Sequence, residues 1–344
     1  MQELLAKKLF LVGGPGGVGK TTLAASLAIE LARQGHRTVV LTVDPARRLA
    51  QALGLTGFDR DLQKVDVGGG ELWASMLDTE HYFDRVIAKF ATSPDQRDRI
   101  LGHPLYRTMV ENLGGSHEYA AMERLLEFVK DPRFDKVVVD TPPSDNASEL
   151  FEAPQRMADF MDNSVLKWFQ GGGKLYLQLF RAGTRVAMGA LKLIFGGEFL
   201  DSLGGFLADL EGMQAGFQRR NLEVLETLRA PSTAFFLVSV PSEARADDCA
   251  RFLQTLRGKQ IGVTRLVLNR LEPASATASN TGDRSLDERV RRIAGYQQAL
   301  HAQQALWADR MAAQVDRPVV RLAEKQGPFH DVAGLSELGR LLLN

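Results

Sequence analysis

Residues Gly14-Pro15-Gly16-Gly17-Val18-Gly19-Lys20-Thr21 satisfy the pattern G-x-x-x-x-G-K-[ST]. Glycines at this spacing let backbone N–H groups curl around phosphate oxygens. A lysine in the place of Lys20 reaches the β- and γ-phosphates, and the Thr21 hydroxyl suits Mg²⁺. The expected nucleotide-binding set is therefore Gly14, Gly16, Gly17, Val18, Gly19, Lys20, Thr21 and Thr22. A helix starting at this point adds its positive dipole end. Two carboxylates stand where phosphoryl chemistry needs them. Asp140 ends the apolar run Lys136–Val139, the place for a carboxylate serving Mg²⁺ directly or through water. Asp44 ends Thr38–Val43 and precedes Pro45-Ala46-Arg47-Arg48. A carboxylate at a strand's C-terminal end can orient or deprotonate an attacking water. Both aspartates also have a bland reading as turn residues.

Elements must position these groups. Nearly continuous aliphatic runs at Leu9–Val12, Thr38–Val43, Lys136–Val139, Ala234–Val240 and Thr264–Leu268 predict strands buried on both faces, with Arg317–Val320 a weaker sixth. Between the first two, Leu23, Leu27 and Leu31 fall on one stripe of a helix from Lys20 to about Gln34, stopped near Gly35. Strand–helix–strand repetition implies a doubly wound, mainly parallel α/β sheet of the P-loop NTPase type. The long interval between Val139 and Ala234 reads mostly as helix, and another helical segment spans 286–314 after the small, polar stretch Pro273–Gly282. The expected organisation is a core first part at 1–150, an inserted helical subdomain at 151–230 and a core second part at 231–344.

Composition removes other classes. Lys plus Arg total 42 and Asp plus Glu total 42 in 344 residues, so the chain lacks the basic excess of a general nucleic-acid binder. One cysteine, Cys249, rules out a disulfide framework or a multi-thiolate metal site within the chain. The six histidines show no ligand spacing. The sequence has no transmembrane run and no secretory signal, so the expected location is the cytoplasm.

Three ordered motifs, GGPGGVGKTT, VDPARRLAQALG and VVVDTPPSDNASELFEAP, resemble the family of arsenical-pump and tail-anchored-protein-targeting ATPases, the bacterial branch above all. The resemblance covers essentially the whole chain, including Glu118–Leu125 and a C-terminal helix at Leu335–Leu341. It implies an ATP- and Mg²⁺-dependent ATPase working as a dimeric nucleotide switch. Asp44 would orient the attacking water in a first switch loop, residues 140–144 would form a γ-phosphate-sensing second switch, and Asn269 would contact the adenine. The loop near Arg321–Leu322 would pack on the base. Asn269-Arg270-Leu271-Glu272 also loosely echoes a guanine-reading loop, with Arg270 and Glu272 departing from it, and Asn269 alone reads as a strand-ending turn residue.

The chain departs from its relatives at Pro15, where paired ATPases of the wider class carry a signature lysine that reaches the partner's nucleotide. Proline has neither charge nor donor. The partner is then a second copy, or a lysine-bearing relative to which this chain is the non-catalytic half, or another cation substitutes. Arg47 and Arg48 are charge stabilisers for that role, or a solvated surface pair. Thiol-based metalloid or zinc binding is not expected, because Cys249 lies in the helix Ser242–Arg257 and reads as packing. Residues 164–197 hold five cations, no acids and many large apolar side chains. Within 151–220 such a surface would dock an apolar helix or a membrane-associated client, or would instead pack as an ordinary helix pair. Leu203, Phe206, Leu207 and Leu210 form a stripe that reads as core. A nucleotide-gated scaffold with little turnover is the alternative function, and a small-molecule phosphotransferase finds no lid motif in its support.

Overall fold

Eight short strands build one sheet in a computed structural model of the chain. The structure describes residues 1–43, 48–55, 62–77, 79–112, 116–141, 151–152, 197–211, 213–273, 283–324 and 332–344. The strands are β1 (Leu9–Gly13), β2 (Thr38–Thr42), β3 (Gln63–Val65), β4 (Leu72–Met76), β5 (Lys136–Asp140), β6 (Thr233–Ser239), β7 (Arg265–Leu271) and β8 (Val319–Ala323). Their order is β3-β4-β2-β5-β1-β6-β7-β8, parallel throughout except for β3 against β4. The sheet is thus the doubly wound, mainly parallel one expected. β3 and β4 are additions to the sequence reading. β7 runs past Leu268 to Leu271 through a register shift, with Arg270 at φ +55°.

β1 lies mid-sheet, between β5 and β6, and all five of its residues are buried. Burial on both faces explains the unalternating sequence of the strand. Phe10, Val12, Val40, Val138, Phe236 and Val238 join the core on the face that packs α1 (Gln2–Leu5), α2 (Lys20–Arg33) and α3 (Arg48–Ala52). On the opposite face Phe235 meets Phe252, with ring centroids 5.8 Å apart.

The described helices after α3 are α4 (Thr79–Phe90), α5 (Pro94–Gly102), α6 (Pro104–Asn112), α7 (Ser116–Lys130), α8 (Gly197–Glu211) and α9 (Gln214–Arg229). They are followed by α10 (Glu243–Gly258), α11 (Arg284–Ala312) and α12 (Val332–Leu343). The last packs closely along α2: a Cβ at Gly339 would lie 2.2 Å from the Ser26 carbonyl oxygen, and Ser336 Oγ donates to Glu30 Oε2 at 2.6 Å. Among the described residues no helix is long and apolar enough to cross a membrane.

The chain divides into two compact units. One comprises residues 1–77, 124–149 and 227–344 and holds the sheet; the other comprises 78–123 and 150–226 and is helical where described. The helical unit therefore draws on the segment between β4 and β5 as well as on the long interval after β5. Within it Phe206, Leu207 and Leu210 of the expected stripe are buried, while Leu203 is half-buried. The buried Glu123 carboxylate accepts Arg220 Nε at 2.8 Å and Tyr119 Oη at 3.3 Å, and Tyr119 and Phe90 pack on Phe217. The basic stretch 164–197 falls almost wholly outside the described residues, as does 274–282.

Candidate functional site

The phosphate loop leaves the end of β1 and closes on the first turn of α2, and its tight course requires glycine at two places. A Cβ on Gly14 (φ +147°) would sit 2.0 Å from the Val238 carbonyl oxygen of β6. One on Gly19 (φ +97°), the N-cap of α2, would sit 2.5 Å from Asn269 Nδ2. Left-handed backbone and contact this close leave no room for a side chain. Asn269 Nδ2 donates to the Val18 carbonyl at 2.8 Å, so β7 ties down the loop just before the helix. Lys20, 6% exposed, turns its ammonium back across the loop and donates to the Pro15 carbonyl at 2.9 Å.

Asp140 arrives through sheet register. It pairs with Val12 of β1 on one side and Thr42 of β2 on the other, at the C-terminal ends of three adjacent strands. Thr42 Oγ1 donates to Asp140 Oδ2 at 3.0 Å, which fixes the carboxylate although the residue is fully buried. Thr141 Oγ1 donates to the Val12 carbonyl at 3.0 Å and holds the next residue against the strand that feeds the loop. Ligands of open α/β sheets bind outside these strand ends. The donor set there, a threonine hydroxyl at a helix start and a carboxylate, is hard oxygen, which fits Mg²⁺ and does not suit a thiophilic metal.

Beside the loop lies a cavity of about 420 Å³. Gly19, Thr22 and Leu23 form one wall, Asn269, Arg270 and residues 321–324 a second, and Leu338 and Leu341 of α12 a third. That volume falls within the about 300–1,000 Å³ usual for small-molecule sites. Asn269 and the Arg321–Leu322 segment, separated by half a hundred residues in sequence, thus meet at one cavity that opens from the phosphate loop. Arg321 is steadied by Asp309 at 2.6 Å, and the Glu272 backbone by Gln304 and His301.

A family model described as anion-transporting ATPase matches residues 7–292. The chain belongs to the anion-transporting ATPase family. Among curated relatives, the ATPase GET3B of Arabidopsis thaliana is 31% identical over 296 residues, covering 79% of this chain and 66% of that protein. The ATPase GET3C of the same plant is 27% identical, covering 80% and 70% respectively. The ATPase GET3 of Podospora anserina is 26% identical, covering 81% of this chain and 78% of its own length. The family is thus one of nucleotide-using ATPases.

Within this ATPase framework the structure brings together the phosphate loop, Lys20, Thr21, Thr22, Asn269 and Asp140. Asp44 and Arg47 lie outside the described residues, as does the Arg48 side chain and the 142–144 part of the second switch. Cys249 is buried in α10, and burial pushes its thiol up to about 12, which suits packing. Among the described residues no three His, Cys, Asp or Glu side chains converge on a metal position. Two side chains that bond these groups escaped the sequence reading. Thr42 was a polar residue inside an apolar strand run, and that was its only signal. Arg245, in the first turn of α10, donates to the Gly16 carbonyl at 3.3 Å, and no spacing pattern marks it.

Proposed function

We propose that this chain is a Mg²⁺-dependent ATP hydrolase working as a dimeric nucleotide switch, with hydrolysis coupled to handling of a protein or membrane-associated client. The observation that carries the reading is the phosphate loop at the end of β1 with Asp140 set beside it by strand register. Loop amides and Lys20 would hold the β- and γ-phosphates, Lys20 exchanging the Pro15 carbonyl for phosphate oxygen. Thr21 and Asp140 would hold the Mg²⁺, which when bound offsets the charge gathering on the phosphoryl oxygens. Asp44 would orient the attacking water. The base would enter the cavity between Asn269 and 321–324, and a helical surface within 151–220 would meet the client. The cytoplasm suits such a switch.

Titration with ATP, GTP and ADP in the presence of Mg²⁺, followed by phosphate release, tests this. ATP preferred over GTP, turnover abolished by Lys20→Ala and lowered at least about a hundredfold by Asp140→Asn are the expected results. Absence of nucleotide binding, or turnover indifferent to both substitutions, would sink the reading.

Pro15 favours a second reading, in which the chain is a low-turnover scaffold or the non-catalytic half of a heterodimer. Mass measurement in solution on protein taken from its own cell separates the two. An ATP-loaded homodimer supports the first, and a complex with a lysine-bearing relative supports the second.

A further inference from the structure

α10 begins at the C-terminal end of β6, and β6 is the neighbour of β1, so the first turn of α10 stands next to the phosphate loop. From that turn Arg245 Nη2 donates to the Gly16 carbonyl at 3.3 Å, and Nη1 donates to Asp248 Oδ2 at 3.1 Å. The second oxygen of Asp248 accepts Arg251 Nη2 at 2.6 Å. One carboxylate is thus shared between two guanidiniums and cannot cancel both charges. Lys20 holds the Pro15 carbonyl, one residue before the carbonyl that Arg245 holds. Two cations therefore rest on consecutive carbonyls of the loop, one supplied by α2 and one by α10.

A neutral carbonyl at 3.3 Å is a poor partner for a guanidinium, and a phosphate oxygen is a much better one. The guanidinium is planar, permanently charged and shaped to bind two phosphate oxygens at once. Its side chain is 37% exposed, so it reaches the loop without being sealed in the core. Residue 15 is proline and brings no charge of its own.

We propose that Arg245 contacts the terminal phosphate of the nucleotide bound in the phosphate loop of its own chain, and that Asp248 is the positioning residue that aims it. This cation, in cis, stands in for the one missing at position 15. The inference rests on the reading of the loop as an ATP site, and its test separates the two.

Affinities for Mg·ADP and for the Mg²⁺ complex of the non-hydrolysable ATP analogue adenylyl imidodiphosphate are measured by calorimetry on the full chain. Arg245→Ala weakens the analogue at least about tenfold and leaves ADP within about twofold, since a charged hydrogen bond to phosphate is lost only where the third phosphate exists. Arg245→Gln reproduces that loss, Arg245→Lys recovers part of it, and Asp248→Asn lowers the same ratio less steeply. Thermal melts without nucleotide show which variants are folded, and the polar, uncharged Arg245→Gln decides the matter should the alanine variant not fold. Equal weakening of ADP and analogue, or no weakening of either, overturns the role of Arg245 while leaving the ATP site standing. Wild type that binds both nucleotides but releases no phosphate from Mg·ATP defeats the hydrolase reading alone, because the affinity ratio still decides Arg245. Wild type that binds neither overturns both.

Discussion

Gly19 and Gly17 both have left-handed backbone in the phosphate loop, yet their surroundings differ. A Cβ on Gly17 (φ +75°) would meet nothing within 4 Å, whereas one on Gly19 would strike the Asn269 amide at 2.5 Å. Gly17→Ala should therefore cost about 1–2 kcal/mol of stability, the strain of a left-handed alanine. Gly19→Ala should cost more and also loosen Asn269 from the Val18 carbonyl, lowering ATP affinity at least about tenfold. Chemical denaturation together with nucleotide titration checks both, and equal stability losses would show that Asn269 is not the constraint. The loop residues were legible in the sequence because their spacing is itself the chemistry. Asn269 could be placed only through the family likeness, and the 2.8 Å bond to Val18 gives it a physical reason. Arg245 was not legible, because an arginine in the first turn of a helix has no pattern. Its relevance depends on β6 lying beside β1, which strand order in sequence does not disclose.

Among the elements, the helical unit is organised around a buried charge. Burial pushes the Glu123 carboxyl above its ordinary range, while Arg220, Lys89 and Tyr119 pull it back down. Arg220 also bonds Glu223 at 2.7 Å and is itself nearly buried. Removing it strands a carboxylate in low dielectric, so Arg220→Ala should destabilise the protein by about 3–5 kcal/mol near neutral pH. The sign of the pH dependence follows from the raised folded value. Stability tied to Glu123 is full below the unfolded carboxyl value, about 4.3, and is lost as pH rises through the folded one. The penalty of Arg220→Ala should accordingly shrink in acid, where Glu123 is protonated. Denaturant melts at pH 7 and pH 4 measure this, and a penalty independent of pH would assign it to lost packing. Five strand runs and the helix of the phosphate loop were legible because long buried runs leave a plain hydrophobic signature. β3 and β4 were not. β3 has three residues, two of them polar, and β4 interrupts its apolar run with Ser75. Pairing with β2, a tertiary fact, is what makes a strand of Leu72–Met76.

At the scale of the molecule, zero net charge conceals local asymmetry. α8 carries four acids and no Lys or Arg, and Asp209 from it binds Arg99 at 2.6 Å within the helical unit. In the sheet unit, Arg37 clasps Asp135 through bonds of 3.0 and 2.7 Å and joins the start of β2 to the start of β5. This holds the Asp135 carboxyl well below the usual range, so its stabilising effect is present above the unfolded value of about 3.9 and fades as pH falls below it. Asp135→Asn should lower the melting temperature slightly at pH 7, because both side chains are partly exposed. That offset should shrink as pH falls from 7 towards 2, because the unfolded carboxyl protonates over this range, and a constant offset would sink the assignment. The packing of α12 on α2 has a temporal consequence. Ser336 and Glu30 are bonded across a sequence separation of 306 residues, and Gly339 lets the two helices nearly touch. A ribosome makes α2 before α12, so α2 waits uncovered by that helix while the residues between them are synthesised. The cavity beside the phosphate loop, walled in part by Leu338 and Leu341, is therefore incomplete on the growing chain until residues 332–343 have emerged.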